Sequence, residues 1–352
     1  MENRIVQLDG LRALAFLSVL ICHLGVFRAG GMGVDLFFVL SGFLITSILR
    51  RRRAEQHPLR GFYANRARRI LPPYLICLAF CAALFFIDWR HVWFFYALPL
   101  ENIAAAYHSS QIASLHPLWS LAIEEQFYLL WPLLVFTLPR RTLLYILASI
   151  ILVSPILRFI ATPFFPDYLE INVLTPFRLD PISIGSLIAL LYESEAARET
   201  LKRYGKPLFF MGVAALFAGS YFGWHIETNS YLTNSLGYSA VAFMSAGLLI
   251  WATIGKGWLY RLLVIRPLRF IGTISYTAYV IHVPMIQLLQ DWGALHGDRH
   301  GARLAAASVP LTLLFASVSW YAIERPILRW NHRTRKPDAG ISLAAEQPGS
   351  SS

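Results

Sequence analysis

The chain has 352 residues, of which 56% are hydrophobic and only 14% charged, and it carries a formal net charge of +11. That apolar share exceeds what a soluble domain of this length buries, so the composition predicts an all-α, polytopic membrane protein and excludes an ordinary soluble enzyme. The basic excess does not predict a nucleic-acid partner, because it follows the alternation of loops that membrane insertion imposes.

A span needs roughly 17 to 25 mainly apolar residues, and about ten runs qualify as transmembrane helices. They are 10–27, 33–49, 71–87, 119–137, 142–159, 179–193, 208–223, 236–254, 270–290 and 303–323. A further apolar stretch, 92–106, is broken by Pro99 and Glu101 and reads as an interfacial or re-entrant segment. The first run follows Met1 closely, with Arg4 as its only preceding cation and no small-residue cleavage site, so it reads as a span and not a removable signal peptide. With the N-terminus inside, all but six of the 31 Lys and Arg residues fall on the cytoplasmic side. The six are Arg28, Arg90, Arg158, Arg178, Arg299 and Arg303. Both termini are therefore expected in the cytoplasm, with 107–111 outside. One membrane domain, 1–330, precedes a segment at 331–352 without apolar periodicity, read as a disordered cytoplasmic tail. Cys22, Cys77 and Cys81 lie inside spans and read as small apolar fillers, not as a disulfide framework. No internal repeat or pair of inverted halves is visible.

Ionisable groups inside spans are costly, so each one is informative. In "QLDGLRALAFLSVLICHLG", Arg12 and His23 are eleven residues apart, which puts them on one helix face ~16 Å apart along the axis, with Asp9 on nearly the same face. Asp9 and Arg12 either anchor the helix at the membrane edge or belong to a site. His23 either bonds a neighbouring helix or does chemistry. In "GGMGVDLFFVLSGFLIT", Ser41 and Gly42 permit close helix packing, while Asp35 is an outer-leaflet acid with no apolar excuse. The loop "LRRRRAEQHPLRGFYANRARRILPPY" holds Arg66 and Arg69 one helical turn apart, two planar forks suited to a phosphate group, although topology and lipid headgroups account for much of its charge.

In "LWSLAIEEQFYLLWPLL", Glu124 and Glu125 lie ~8 Å below the outer entry of the fourth span, near the depth of His23. One of them is expected to orient the imidazole as carboxylates orient a general base. Asp180, in "FRLDPISIGSLIA", either caps its helix ahead of Pro181 or is another outer acid. His282, in "ISYTAYVIHVPMIQ", sits near the level of His23 and is either a capped histidine beside Pro284 or a supporting member of the site. No metal-ligand set is expected.

These stretches, with "YAIERPILRW" near the end, together resemble the membrane proteins of acyltransferase family 3, which O-acylate surface polysaccharides and related acceptors. The resemblance covers Gln7 to about Arg329 and rests on the order and number of its motifs. It implies a multi-pass protein of the bacterial cytoplasmic (inner) membrane with no permanently bound cofactor. Its co-substrate would be cytoplasmic acyl-CoA, usually acetyl-CoA, and its acceptor a hydroxyl of a carbohydrate or lipid-linked glycan. It assigns essential roles to His23, Arg12, Arg66 and Arg69, so His23 with Glu124 and Glu125 is the expected catalytic set and the three arginines the expected acyl-CoA site. Asp9, Asp35, Asp180 and His282 are the expected supporting residues. The extracytoplasmic hydrolase-like domain of some members is not seen in this sequence. Two competing classes remain open from the residues alone: a transporter or flippase using the same intramembrane charges, and an acyl-CoA-binding regulator that needs neither His23 nor the glutamates.

Overall fold

A computed structural model describes residues 5–107, 113–221, 229–295 and 302–334. The expected outer segment therefore falls mostly outside the described residues, as do Arg299 and positions 335–352 of the expected tail. Among the described residues the regular structure is helical, with no strand. In chain order the helices are α1 (Gln7–His23), α2 (Gly33–Arg51), α3 (Pro58–Leu84), α4 (Trp89–Ala97), α5 (Glu101–Tyr107), α6 (Trp119–Thr137), α7 (Arg140–Ala161) and α8 (Leu169–Val173). They continue as α9 (Leu179–Leu191), α10 (Glu195–Tyr221), α11 (Tyr238–Ile254), α12 (Trp258–Leu263), α13 (Arg266–Leu295), α14 (Ala302–Ser319) and α15 (Arg325–Thr334).

Each expected apolar run falls mainly on one of these helices, although the helices stop short of the ends of 10–27, 71–87 and 179–193, and the end of 208–223 lies outside the described residues. Among the described residues, five segments are long and apolar enough to cross a membrane on length and composition alone: Arg28–Ala54, Pro58–Leu84, Arg140–Phe164, Thr233–Ile254 and Ala307–Arg329. The helices exceed the runs where a polar, basic stretch continues the same helix, as in α3, which starts at Pro58 with proline in its first turn. The segment 92–106 is broken as its composition predicts, into α4 and α5 on either side of Pro99. Helix α15 carries the chain past the expected boundary at 330, to Thr334.

The side-chain bonds give relative helix directions. Asp35 meets Arg178, and Arg50 meets Glu193, so α2 and α9 run parallel. Arg158 meets Asp180 while Arg140 meets the Leu190 carbonyl, so α7 runs antiparallel to α9. Tyr276 reaches Ile70 and Cys77 reaches Val280, so α3 and α13 are parallel. Each relation has the parity that alternating spans require.

Small residues set the closest approaches. At Gly42 an added Cβ would collide with the Ile182 carbonyl, and at Gly185 with that of Val39, so the expected tight packing at Ser41-Gly42 is realised between α2 and α9. Helix α1 lies in a trough of the same kind. The Asp9 carbonyl presses on Gly272 of α13, the Leu263 carbonyl on Gly10, and the Ala15 and Ser18 carbonyls on Gly33 and Gly30. The helix that carries Arg12 and His23 is thus held backbone to backbone along most of its length.

Candidate active site

Helix α1 stops at His23 because Gly25 adopts φ +72°, the left-handed conformation that glycine takes without strain beyond a helix end. The imidazole therefore stands on the last turn and is exposed. Its Nδ1 lies 3.0 Å from the Val19 carbonyl oxygen and 3.3 Å from His282 Nε2. The two rings meet edge to face with centroids 4.9 Å apart. His282, on α13, is fully buried, and its Nδ1 lies 2.5 Å from the Tyr279 carbonyl oxygen. The expected carboxylate partner of His23 is thus replaced by a second histidine.

Glu124 and Arg12 line a different place, a cavity of about 60 Å³ between α1, α2, α3, α6 and α13, room for a few waters. Tyr128 donates to Glu124 at 2.5 Å and also bonds Ser41. Arg66 comes in from α3, its guanidinium 5.6 Å from the centre of the Tyr128 ring and 5.8 Å from that of Phe62. Ser120 and Tyr279, 2.7 Å apart, also line the cavity, and Tyr279 is one turn of α13 from His282. Arg69 stands within electrostatic reach of Arg12, Arg66 and Glu324. Among the described residues, no carboxylate lies within ion-pair distance of Arg12, Arg66 or Arg69. Three half-buried guanidinium groups thus stand in mutual electrostatic reach, with Glu124 and Glu324 nearby but not ion-paired to them, and together they offer enough N–H donors to hold a phosphate.

A profile of the acyltransferase domain of this class matches residues 5–323. The chain belongs to acyltransferase family 3. Within the family it is 28% identical over 346 residues to an O-acetyltransferase named OatA from Staphylococcus aureus, an alignment covering 91% of this chain and 56% of that protein. It is 30% identical over 351 residues to a putative peptidoglycan O-acetyltransferase, YrhL, from Bacillus subtilis, covering 91% and 54%. It is 29% identical over 354 residues to the peptidoglycan O-acetyltransferase OatA of Listeria monocytogenes, covering 91% and 55%. The chain thus spans about half the length of these curated relatives. No solved structure matches it.

Other sequence-expected residues of this family member lie elsewhere. Asp180 does not cap α9 with its side chain; the carboxylate receives both arms of Arg158, at 2.8 and 2.9 Å. The same guanidinium donates to the carbonyls of Asn234 and Phe177 and to Ser239. Asp35 accepts from Arg178 at 3.0 Å, and Arg178 lies over the Tyr238 ring at 4.6 Å. Arg158 and Arg178, which the loop alternation places outside, are 0% and 2% exposed: they are core groups, not loop charges. Glu125 lies within electrostatic reach of Glu101 and Tyr74, a group on the α3, α5 and α6 side. Asp9 contributes its backbone to the α1–α13 crossing.

Four residues escape a sequence reading. His116, on the turn Ala113–Leu118, is within electrostatic reach of His23. Tyr128 and Tyr279 read as ordinary apolar-face aromatics. Glu324 is buried and accepts from Thr277 at 2.6 Å; its one signal is a lone acid in "YAIERPILRW".

Proposed function

We propose that this chain is a multi-pass O-acyltransferase of the bacterial inner membrane, with both termini cytoplasmic. It moves an acyl group, acetyl by the names of its relatives, from cytoplasmic acyl-CoA to a carbohydrate hydroxyl of the cell surface, the peptidoglycan glycan being the acceptor those names favour. The observation that carries the reading is that α1 holds Arg12 in an arginine cluster without ion-paired anions at one end and an exposed imidazole at the other. Arg12, Arg66 and Arg69 hold phosphate groups of the donor, and the thioester reaches past Tyr279 toward His23.

At His23 the acceptor hydroxyl loses its proton to the imidazole as its oxygen attacks the thioester carbonyl. The new O–C bond forms, the C–S bond breaks, and the proton passes to the departing thiolate. In the other route consistent with the same geometry, the ring nitrogen attacks the thioester carbonyl, the C–S bond breaks and the thiolate leaves; the acceptor oxygen then takes the acetyl group as the N–C bond breaks, and its proton passes to the thiolate. Glu124, bonded to Tyr128 beside Arg12 and Arg66, keeps the donor cavity polar.

The test is to supply membranes containing the chain with acetyl-CoA labelled in the acetyl group and to count label in the glycan fraction. His23→Ala is expected to lower transfer ~10²- to 10⁴-fold while acetyl-CoA still binds. Acid quenching distinguishes the routes, since label trapped on the protein marks an acyl-histidine. Transfer unaffected by His23→Ala would overturn the reading, and an alanine variant that loses acetyl-CoA binding would move His23 into the donor site.

A further inference from the structure

The two histidines carry more information than their proximity. A carbonyl oxygen can only accept, so a neutral ring nitrogen that bonds one must carry the proton. His282 Nδ1 bonds the Tyr279 carbonyl, which leaves His282 Nε2 bare and able only to accept. The atom that faces this lone pair is His23 Nδ1, which also faces the Val19 carbonyl. Both neighbours of His23 Nδ1 are therefore acceptors, and the proton of the neutral ring must sit there, shared between them. His23 Nε2 is then the deprotonated nitrogen, and among the described residues nothing occupies it.

We propose that His282 is a positioning residue that sets the tautomer and ring orientation of His23, so that Nε2 is presented as the basic or nucleophilic atom. This rests on the transferase reading above and supplies the part usually played by a carboxylate. A buried imidazole tied to a backbone carbonyl can do so because it is as fixed as the helix it hangs from. A carboxylate at that place would accept the same proton but would hold the imidazolium more tightly after proton transfer. The neutral acceptor leaves His23 freer to hand the proton on to the thiolate.

The experiment uses the full chain in lipid nanodiscs with ¹⁵N-labelled histidine. In the wild type, the His23 resonances are expected to show a protonated Nδ1 and a bare Nε2. His282→Ala is expected to give a mixture of tautomers and to lower the turnover of acetyl-CoA, read as free CoA thiol in the presence of peptidoglycan strands, by roughly 10- to 100-fold, the scale of losing a partner that orients a functional histidine. The acetyl-CoA KM should stay close to that of the wild type. The conservative variants separate positioning from packing. Glutamine places an oxygen near the position of Nε2 and should restore much of the rate and the single tautomer, whereas asparagine, whose amide lies near the position of Nδ1, should behave as alanine does. A wild-type His23 protonated on Nε2, or His282→Ala without effect on tautomer and rate, overturns the proposal. If the wild type releases no thiol, the transferase reading fails separately, and the tautomer measurement still decides the role of His282.

Discussion

Two groups of arginines in this bundle, one buried and one half-buried, are treated in opposite ways. Arg158 and Arg178 each face an aspartate: Arg158 meets Asp180 with both arms and spends its remaining donors on backbone carbonyls and a serine, while Arg178 meets Asp35 through one nitrogen and lies over the Tyr238 ring. Arg12, Arg66 and Arg69 are gathered where they repel one another, and among the described residues no carboxylate makes an ion pair with any of them, Glu124 and Glu324 acting only from farther off. A charge costs several kcal/mol to bury and repays that only through a well-made pair, so the first group is architecture that tolerates little change. The second group leaves a cost unmet in the free protein, which an anion would remove on binding. Intramembrane position alone does not separate function from framework; the partner does.

The sharpest way to break this contrast is at Asp180. Asp180→Ala strands Arg158 in the core and should cost about 3 to 5 kcal/mol of stability, read by thermal unfolding in detergent. Replacing Arg158 and Asp180 together with leucines should recover a large part of it. Equal damage from the single and double changes would mean that the pair has no special standing.

Arg66→Ala and Arg69→Ala should do the reverse. Acyl-CoA binding should weaken by about 1.5 to 3 kcal/mol, the scale of a hydrogen bond to a charged group, with no loss of melting temperature. Lysine should recover only part of the affinity, since it keeps the charge and loses the planar fork. Titration calorimetry with acetyl-CoA measures both, and unaltered binding by both alanine variants would move the donor site elsewhere. Tyr128→Phe removes the hydroxyl that bonds Glu124 and Ser41; its expected cost is about 0.5 to 1.5 kcal/mol, seen in unfolding more than in donor affinity.

The smallest effect belongs to Arg50. Its pairing with Glu193 is bidentate and sits at the rim, partly open to solvent at 20% and 35% side-chain exposure, so Arg50→Ala should change stability by about 1 kcal/mol or less, and less still in high salt. A larger loss would show that exposure is a poor guide to the role of an arginine in this protein.

Much of the helical plan is legible because a span must be apolar over a length fixed by the bilayer, and the expected runs fall on helices for that reason. Arg12 and His23 are legible because an eleven-residue interval returns a helix to one face. Helix α3 is longer than its apolar run because hydropathy cannot register a polar, basic segment that continues a span. The pairing of His23 with His282 joins positions 259 apart in the chain, and nothing local in either stretch marks it. Equal depth likewise does not name the partner of His23, because it fixes height and says nothing of azimuth: His23 Nδ1 meets Val19 and His282 where Glu124 or Glu125 is expected. Arg158 and Arg178 read as outer-loop charges because charge counting treats every arginine at a span end alike.

The trough of glycines around α1 has a further consequence. A helix touched backbone to backbone at Gly272, Leu263, Gly33 and Gly30 has little room to bend or slide, so the ~16 Å between Arg12 and His23 behaves as a fixed gauge. On the proposed roles of Arg12 and His23, a donor is then sorted by reach as well as by charge. Molecules whose anionic groups and reactive carbonyl lie close together, an acyl phosphate for instance, can satisfy one end of the gauge but never both.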